Sequence, residues 1–93
     1  MYKIEIEDGY DGFERHVTGN IDLDGNNVYE FVLDTYDGFT SINLIDGDVS
    51  VNLEDEDELH LFNIDEEVGE EIYDEILTYV NDNGYDFIGE DFE

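Results

Sequence analysis

The sequence predicts an α+β domain: an antiparallel β-sheet of about five strands, with one amphipathic C-terminal helix packed on one face. Three observations carry this. The first two thirds of the chain consist of short runs rich in Val, Ile, Tyr and Phe, punctuated by Asp-Gly pairs of the kind that close hairpins. From about Asp65 to Asn81 the apolar residues recur at helical spacing instead. Strands precede the helix and do not alternate with it, which favours segregated layers over a parallel α/β sheet. A length of 93 residues suits a single domain spanning residues 1–93.

The expected strands are Tyr2 to Glu7, Phe13 to Leu23, Val28 to Asp34, Phe39 to Leu44 and Val49 to Leu53. In the first, Tyr2, Ile4 and Ile6 share a face opposite Lys3, Glu5 and Glu7. In the last, Val49, Val51 and Leu53 lie opposite Ser50 and Asn52, so one sheet face is expected to be buried and the other wet. Tyr10-Asp11-Gly12-Phe13 recurs as Tyr36-Asp37-Gly38-Phe39, each time before a strand, and reads as a turn used twice. The block Glu54-Asp55-Glu56-Asp57-Glu58 is expected to be a loop, because like charges resist compaction. Leu59-His60-Leu61-Phe62 then reads as a short final strand.

For the helix, Asn63 or Asp65 is available as the cap and Asn83-Gly84 as the left-handed stop. At about 100° per residue, Val68, Ile72, Ile76, Tyr79 and Val80 fall on one arc beside Tyr73 and Leu77, which should pack on the sheet. The opposite arc holds Glu67, Glu70, Glu71, Asp74, Glu75 and Asp82 and no basic residue. The tail from Tyr85 to Glu93 suits an edge strand or a homodimer contact equally.

Charge restricts the partners. The chain carries 29 Asp and Glu against Lys3 and Arg15, a formal net charge of -27. A content of 40% hydrophobic and 14% aromatic residues, with no proline, separates it from disordered acidic chains. A fold of this length is roughly 32 Å across, and duplex DNA of that length bears about 19 phosphates. The charge density matches or exceeds that of DNA, which argues against nucleic acid or an anionic membrane as a direct ligand and for a basic partner. The chain has no cysteine, its first residues alternate polar and apolar, and no apolar stretch reaches membrane-spanning length; a cytoplasmic location is the default expectation.

Surface helices ordinarily mix charge signs, because like pairs four apart destabilise by roughly 0.2 to 0.5 kcal/mol each. Here Glu66 with Glu70, Glu67 with Glu71, Glu70 with Asp74 and Glu71 with Glu75 are all like pairs. Acids four apart are spaced by a rise of about 6 Å, near the scale on which Lys and Arg meet successive phosphates. The candidate partner-binding residues are therefore Glu67, Glu70, Glu71, Asp74 and Glu75 on the helix, with Glu54, Asp55, Glu56, Asp57 and Glu58 before it.

Enzymatic, metal and cofactor chemistry have little support. Asn20, Asp22, Asp24 and Gly25 match the start of a calcium loop, but its twelfth place is Phe31 and its flanks read as strands, so a hairpin turn explains them better. His16 and His60 lie on strand-like segments and read as solvent-facing, and no pair among so many carboxylates is marked as acid and base. No catalytic residue, metal site or cofactor is expected.

Small size, an acidic helix face, an acidic segment and the near absence of Lys and Arg together resemble the DNA-mimic inhibitor proteins of bacteriophages and mobile elements. That class includes anti-restriction and anti-CRISPR proteins, uracil-glycosylase inhibitors, and inhibitors of the HU nucleoid protein or of RNA polymerase. The resemblance is one of charge character over the whole chain. It implies a non-enzymatic inhibitor that occupies the basic DNA- or RNA-binding surface of a protein in a host bacterial cell. Two alternatives share much of this composition: an immunity protein neutralising a nuclease toxin, and a halophilic acidic domain. The second fits poorly with a chain that has no alanine and is rich in Ile, Asn and Tyr.

Overall fold

A computed structural model describes residues 2–11, 15–25, 27–36 and 38–89. Five strands form one antiparallel meander in the order β1-β2-β3-β4-β5: β1 Lys3–Asp11, β2 Arg15–Asp22, β3 Val28–Tyr36, β4 Phe39–Asp46 and β5 Val49–Asn52. They are followed by a short helix α1, Glu56–Leu59, a 3-10 turn His60–Phe62, and the long helix α2, Glu66–Asp82. The expected α+β architecture is the observed one.

The register aligns the apolar residues of successive strands. Val17 faces Leu33 and Leu33 faces Ile42, while Phe31 faces Leu44 and Leu44 faces Val51. All are fully buried, and they form one core with Ile72, Tyr73, Ile76 and Val80 of α2. The apolar arc of the helix therefore packs on the sheet as its periodicity required. One buried polar contact locks the two layers: the Tyr73 hydroxyl donates to the Thr40 carbonyl oxygen at 2.7 Å. Tyr73→Phe removes the donor from a buried acceptor and is expected to cost about 1 to 3 kcal/mol, read as a lower urea midpoint at unchanged slope.

Strand β1 runs beyond its expected end at Glu7. A bulge between Ile6 and Asp8 shifts the register against β2, so Gly9 then faces Val17. Asp8-Gly9 thus lies inside a strand, and the glycine has a packing role: a Cβ there would overlap the Tyr85 ring. Phe13, expected to open the second strand, lies outside the described residues. Of the repeated Tyr-Asp-Gly-Phe, Tyr10 and Asp11 end β1, while in the second copy Tyr36 pairs with Phe39 and Gly38 takes φ 85°. Gly12, Phe13 and Asp37 of the two copies also lie outside the described residues.

Residues 85–89 fold back on the chain's own sheet. The Thr40 N–H donates to the Ile88 carbonyl at 2.8 Å, on β4 beyond the reach of β5. Asn81 clasps Phe87 with two hydrogen bonds, accepting from its N–H at 2.8 Å and donating to its carbonyl at 3.1 Å. The segment lies beside β4 without forming a strand, and residues 90–93 lie outside the described residues.

Candidate functional site

Two acidic elements, separate in sequence, meet at the start of α2. The first departs from expectation, since the acidic block is not a loop throughout and Leu59 to Phe62 is not a strand. Asp55 caps α1, its carboxylate accepting from the Asp57 N–H at 3.0 Å and the Glu58 N–H at 3.3 Å. Acids in a first helical turn gain from the unpaired N–H groups and the positive end of the helix, which offsets their mutual repulsion. Leu59 is buried against Gly69 of α2, where a Cβ would come within 2.7 Å of a Leu59 methyl. The 3-10 turn then ends at Asn63, which adopts a left-handed φ of 55°.

The second element is α2 itself. Asp65 takes the capping role, accepting from the Val68 N–H at 2.9 Å, and Gly84 supplies the left-handed stop with φ 101°. Glu67, Glu71, Asp74, Glu75 and Asp82 are exposed, as the helical projection placed them. Glu70 is half-buried and turns towards α1. There it lines an open hollow of about 510 Å³ with Glu54, Asp55, Glu56, Asp57 and Glu66. Further along the helix, Glu71, Asp74, Glu75 and Thr78 line a smaller one of about 260 Å³.

The first hollow brings Glu54, Asp55, Glu56, Asp57 and Glu70 together and the second Glu71, Asp74 and Glu75, while Glu67 and Glu58 line neither. Glu58 reaches back to accept from the Asn52 N–H at 3.1 Å, so it secures the end of β5 instead of facing outward. Glu54 is half-buried, and its N–H is held by the Asn52 side chain at 2.8 Å. Glu66 is the residue that sequence reasoning left out of the site. Its signals in the sequence are its place at the start of the helix and its like-charge pair with Glu70.

Crowding of carboxylates has a titration consequence at Glu56. Its hydrogen bond with Glu66, then the charge of Glu66, raise its pKa above the ordinary 4.5, with lesser contributions from burial and Asp57 and an opposing one from His60. A raised folded-state value means that the folded protein binds more protons than the unfolded chain between the two values, so stability rises as pH falls from neutral into that window. Glu56→Gln is therefore expected to raise Tm at neutral pH, with the gain shrinking as the solution approaches pH 4.5. Calorimetry at both pH values checks the sign. On the other flank of α2, the Tyr2 hydroxyl donates to Glu71 Oε1 at 3.2 Å. Its pKa is raised by burial, by that hydrogen bond, and by the charges of Glu71 and Glu75.

The residues of the calcium-like pattern are occupied locally. Asp22 accepts from the Gly25 N–H at 2.7 Å, and Asp24 accepts from the backbone and side-chain nitrogens of Asn27 at 3.0 and 2.9 Å. The Asn20 amide donates to Glu7. The bonds of Asp22 and Asp24 build the β2–β3 turn, and that of Asn20 ties β2 to β1. Among the described residues, no group of three or more His, Cys, Asp or Glu side chains is placed to hold a metal ion. His16 and His60 are exposed, and His16 Nδ1 lies 2.5 Å from Asp34 Oδ1 on the sheet face that α2 leaves open. Among the described residues, no helix is long and apolar enough to cross a membrane.

No protein-family model, curated protein or solved structure matches the chain.

Proposed function

We propose that this protein is a DNA-mimicking inhibitor that occupies the basic nucleic-acid-binding surface of a restriction, CRISPR, nucleoid or transcription protein of a host bacterium. The observation that carries the reading is the junction of α1 and α2, where two acidic elements separated by residues 60–65 stand side by side without a Lys or Arg in either. The folded body measures 34 × 28 × 25 Å. Duplex DNA 34 Å long bears about 20 phosphates, fewer than the 27 net negative charges of the chain. Carboxylates stand in for phosphate oxygens, and their planar oxygen pairs suit the forked donors of Arg. The net charge opposes direct contact with nucleic acid or anionic lipid.

The test is affinity capture from bacterial lysate on the immobilised protein, with parallel elution by salt and by duplex DNA. The expected result is that DNA elutes the same basic protein as salt does. A captured partner that stays bound in excess DNA and still binds DNA counts against mimicry. A captured nuclease toxin encoded beside this chain favours an immunity role instead.

A further inference from the structure

At the end of the sheet, the β2–β3 turn meets the junction between α1 and α2 and leaves a hollow of about 350 Å³. It differs in kind from the carboxylate surfaces described above. Tyr29 and Phe62 stack within it, ring centroids 4.8 Å apart and planes 22° apart. Half-buried Leu23 and Val68 and buried Ile64 complete the apolar lining, and Asp24 and Asp65 stand among the lining residues. Pockets that hold small organic groups usually begin at roughly 300 Å³, so this one has the size for a single long side chain.

Three features select the occupant. Aromatic faces attract cations, and guanidinium groups also stack on them. The methylene stem of a basic side chain covers apolar surface while its head reaches for carboxylates. The field at the hollow is negative: after burial, the charges of Asp46 and Asp24 hold the Tyr29 hydroxyl above its usual pKa. The N-terminal end of α2 opposes this with about half a positive charge, which the carboxylates of Asp65, Glu66 and Glu67 outweigh. The balance of these terms disfavours an anionic ligand.

We propose that this hollow is an anchor site for one arginine side chain of the basic partner, its guanidinium stacked on the Tyr29–Phe62 pair and directed to the carboxylates of Asp24 and Asp65. The proposal rests on the reading that the partner is basic, and adds to it an aromatic anchor outside the acidic face of α2. Such an anchor supplies register, which a diffuse row of carboxylates does not.

The test is an NMR titration of the labelled full chain with acetyl-arginine amide, run against sodium chloride at matched ionic strength and against tetramethylammonium chloride. Ring signals of Tyr29 and Phe62 and methyl signals of Leu23 and Val68 are expected to move saturably with the arginine amide, while those of Glu71, Asp74 and Glu75 follow the sodium chloride curve. Phe62→Leu keeps an apolar side chain in the hollow, and Asp65→Asn keeps a good helix cap. Each is expected to weaken the saturable response about two- to fivefold. Should Phe62→Leu fail to fold, Asp65→Asn decides alone. Ring shifts that follow sodium chloride, a response unchanged in the variants, or a preference for tetramethylammonium each overturn the arginine assignment. The probe needs no partner, so a failed DNA competition leaves its result standing. A partner that competes with DNA while the rings ignore the arginine amide removes the anchor and leaves the mimicry.

Discussion

Replacing Glu67, Glu70, Glu71 and Glu75 with Gln and Asp74 with Asn is expected to lower affinity for the DNA-competing partner about a hundredfold or more at moderate salt. Desolvated, hydrogen-bonded charge pairs at interfaces cost roughly 2 to 5 kcal/mol each when one partner is removed, whereas rim charges mainly change the rate of association. Five simultaneous losses along one helix therefore reach two orders of magnitude even if most sit at a rim. The same variant is expected to melt at a higher temperature than the parent. It removes the Glu67–Glu71, Glu70–Asp74 and Glu71–Glu75 repulsions, each worth about 0.2 to 0.5 kcal/mol, and leaves Ile72, Tyr73, Ile76 and Val80 in the core. A drop in affinity with a rise in Tm separates lost recognition from lost fold. Unchanged affinity moves the contact surface to the acidic turn at α1 or to the open face of the sheet.

The largest expected loss of stability lies at a single cross-strand pair. Gly19 of β2 faces Phe31 of β3, and the ring closes over the glycine: a Cβ at position 19 would lie 2.6 Å from Phe31 Cζ and would overlap the Glu5 carbonyl oxygen of β1. The ring moves only by disturbing a fully buried side chain, and the carbonyl only by disturbing the β1–β2 ladder beside its bulge. Phe31→Ala is expected to cost about 3 to 5 kcal/mol through lost burial and the cavity left behind. Gly19→Ala is expected to cost a comparable amount through overpacking, although it adds one methyl group. A small domain has only about 5 to 15 kcal/mol in total, so either change is expected to remove a large fraction of it and lower the urea midpoint sharply. Urea denaturation of both variants checks this, and a Gly19→Ala protein as stable as the parent contradicts the packing described.

The parts of this fold that could be read in the sequence are those set by period and punctuation. Alternation placed all five strands within a few residues, and helical spacing placed the buried arc of α2 between Asp65 and Gly84. The misread parts are those where a local hydrogen bond overrides a composition rule. A run of five acids reads as an extended loop on Coulomb grounds, yet Asp55 caps a helical turn whose free N–H groups favour acids. Leu59 to Phe62 is too short to distinguish alternation from a helical turn, and contact with Gly69 decides the matter. The bulge at Glu7 depends on β2 and the inward turn of Glu58 on the Asn52 N–H, and neither leaves a periodic trace.

The candidate site was legible in outline for a different reason. Charge of one sign on one helical arc follows directly from the sequence, so Glu67, Glu71, Asp74 and Glu75 were placed correctly as exposed residues. The meeting of that arc with the acidic turn was not legible, because it depends on how Leu59 docks on α2. Neither was the contact of Glu56 with Glu66, nor the stacking of Tyr29 on Phe62, whose rings come from strand and turn 33 residues apart.

The central claim is that this protein and DNA occupy the same basic surface. Its most direct measurement is the fluorescence anisotropy of a labelled duplex bound to the captured partner, titrated with the unlabelled protein at several salt concentrations. The account requires complete displacement at saturation, with an inhibition constant that weakens steeply as salt rises, because both ligands depend on the same Lys and Arg. A plateau at which the duplex remains bound while the protein is also bound, or competition indifferent to salt, would contradict it.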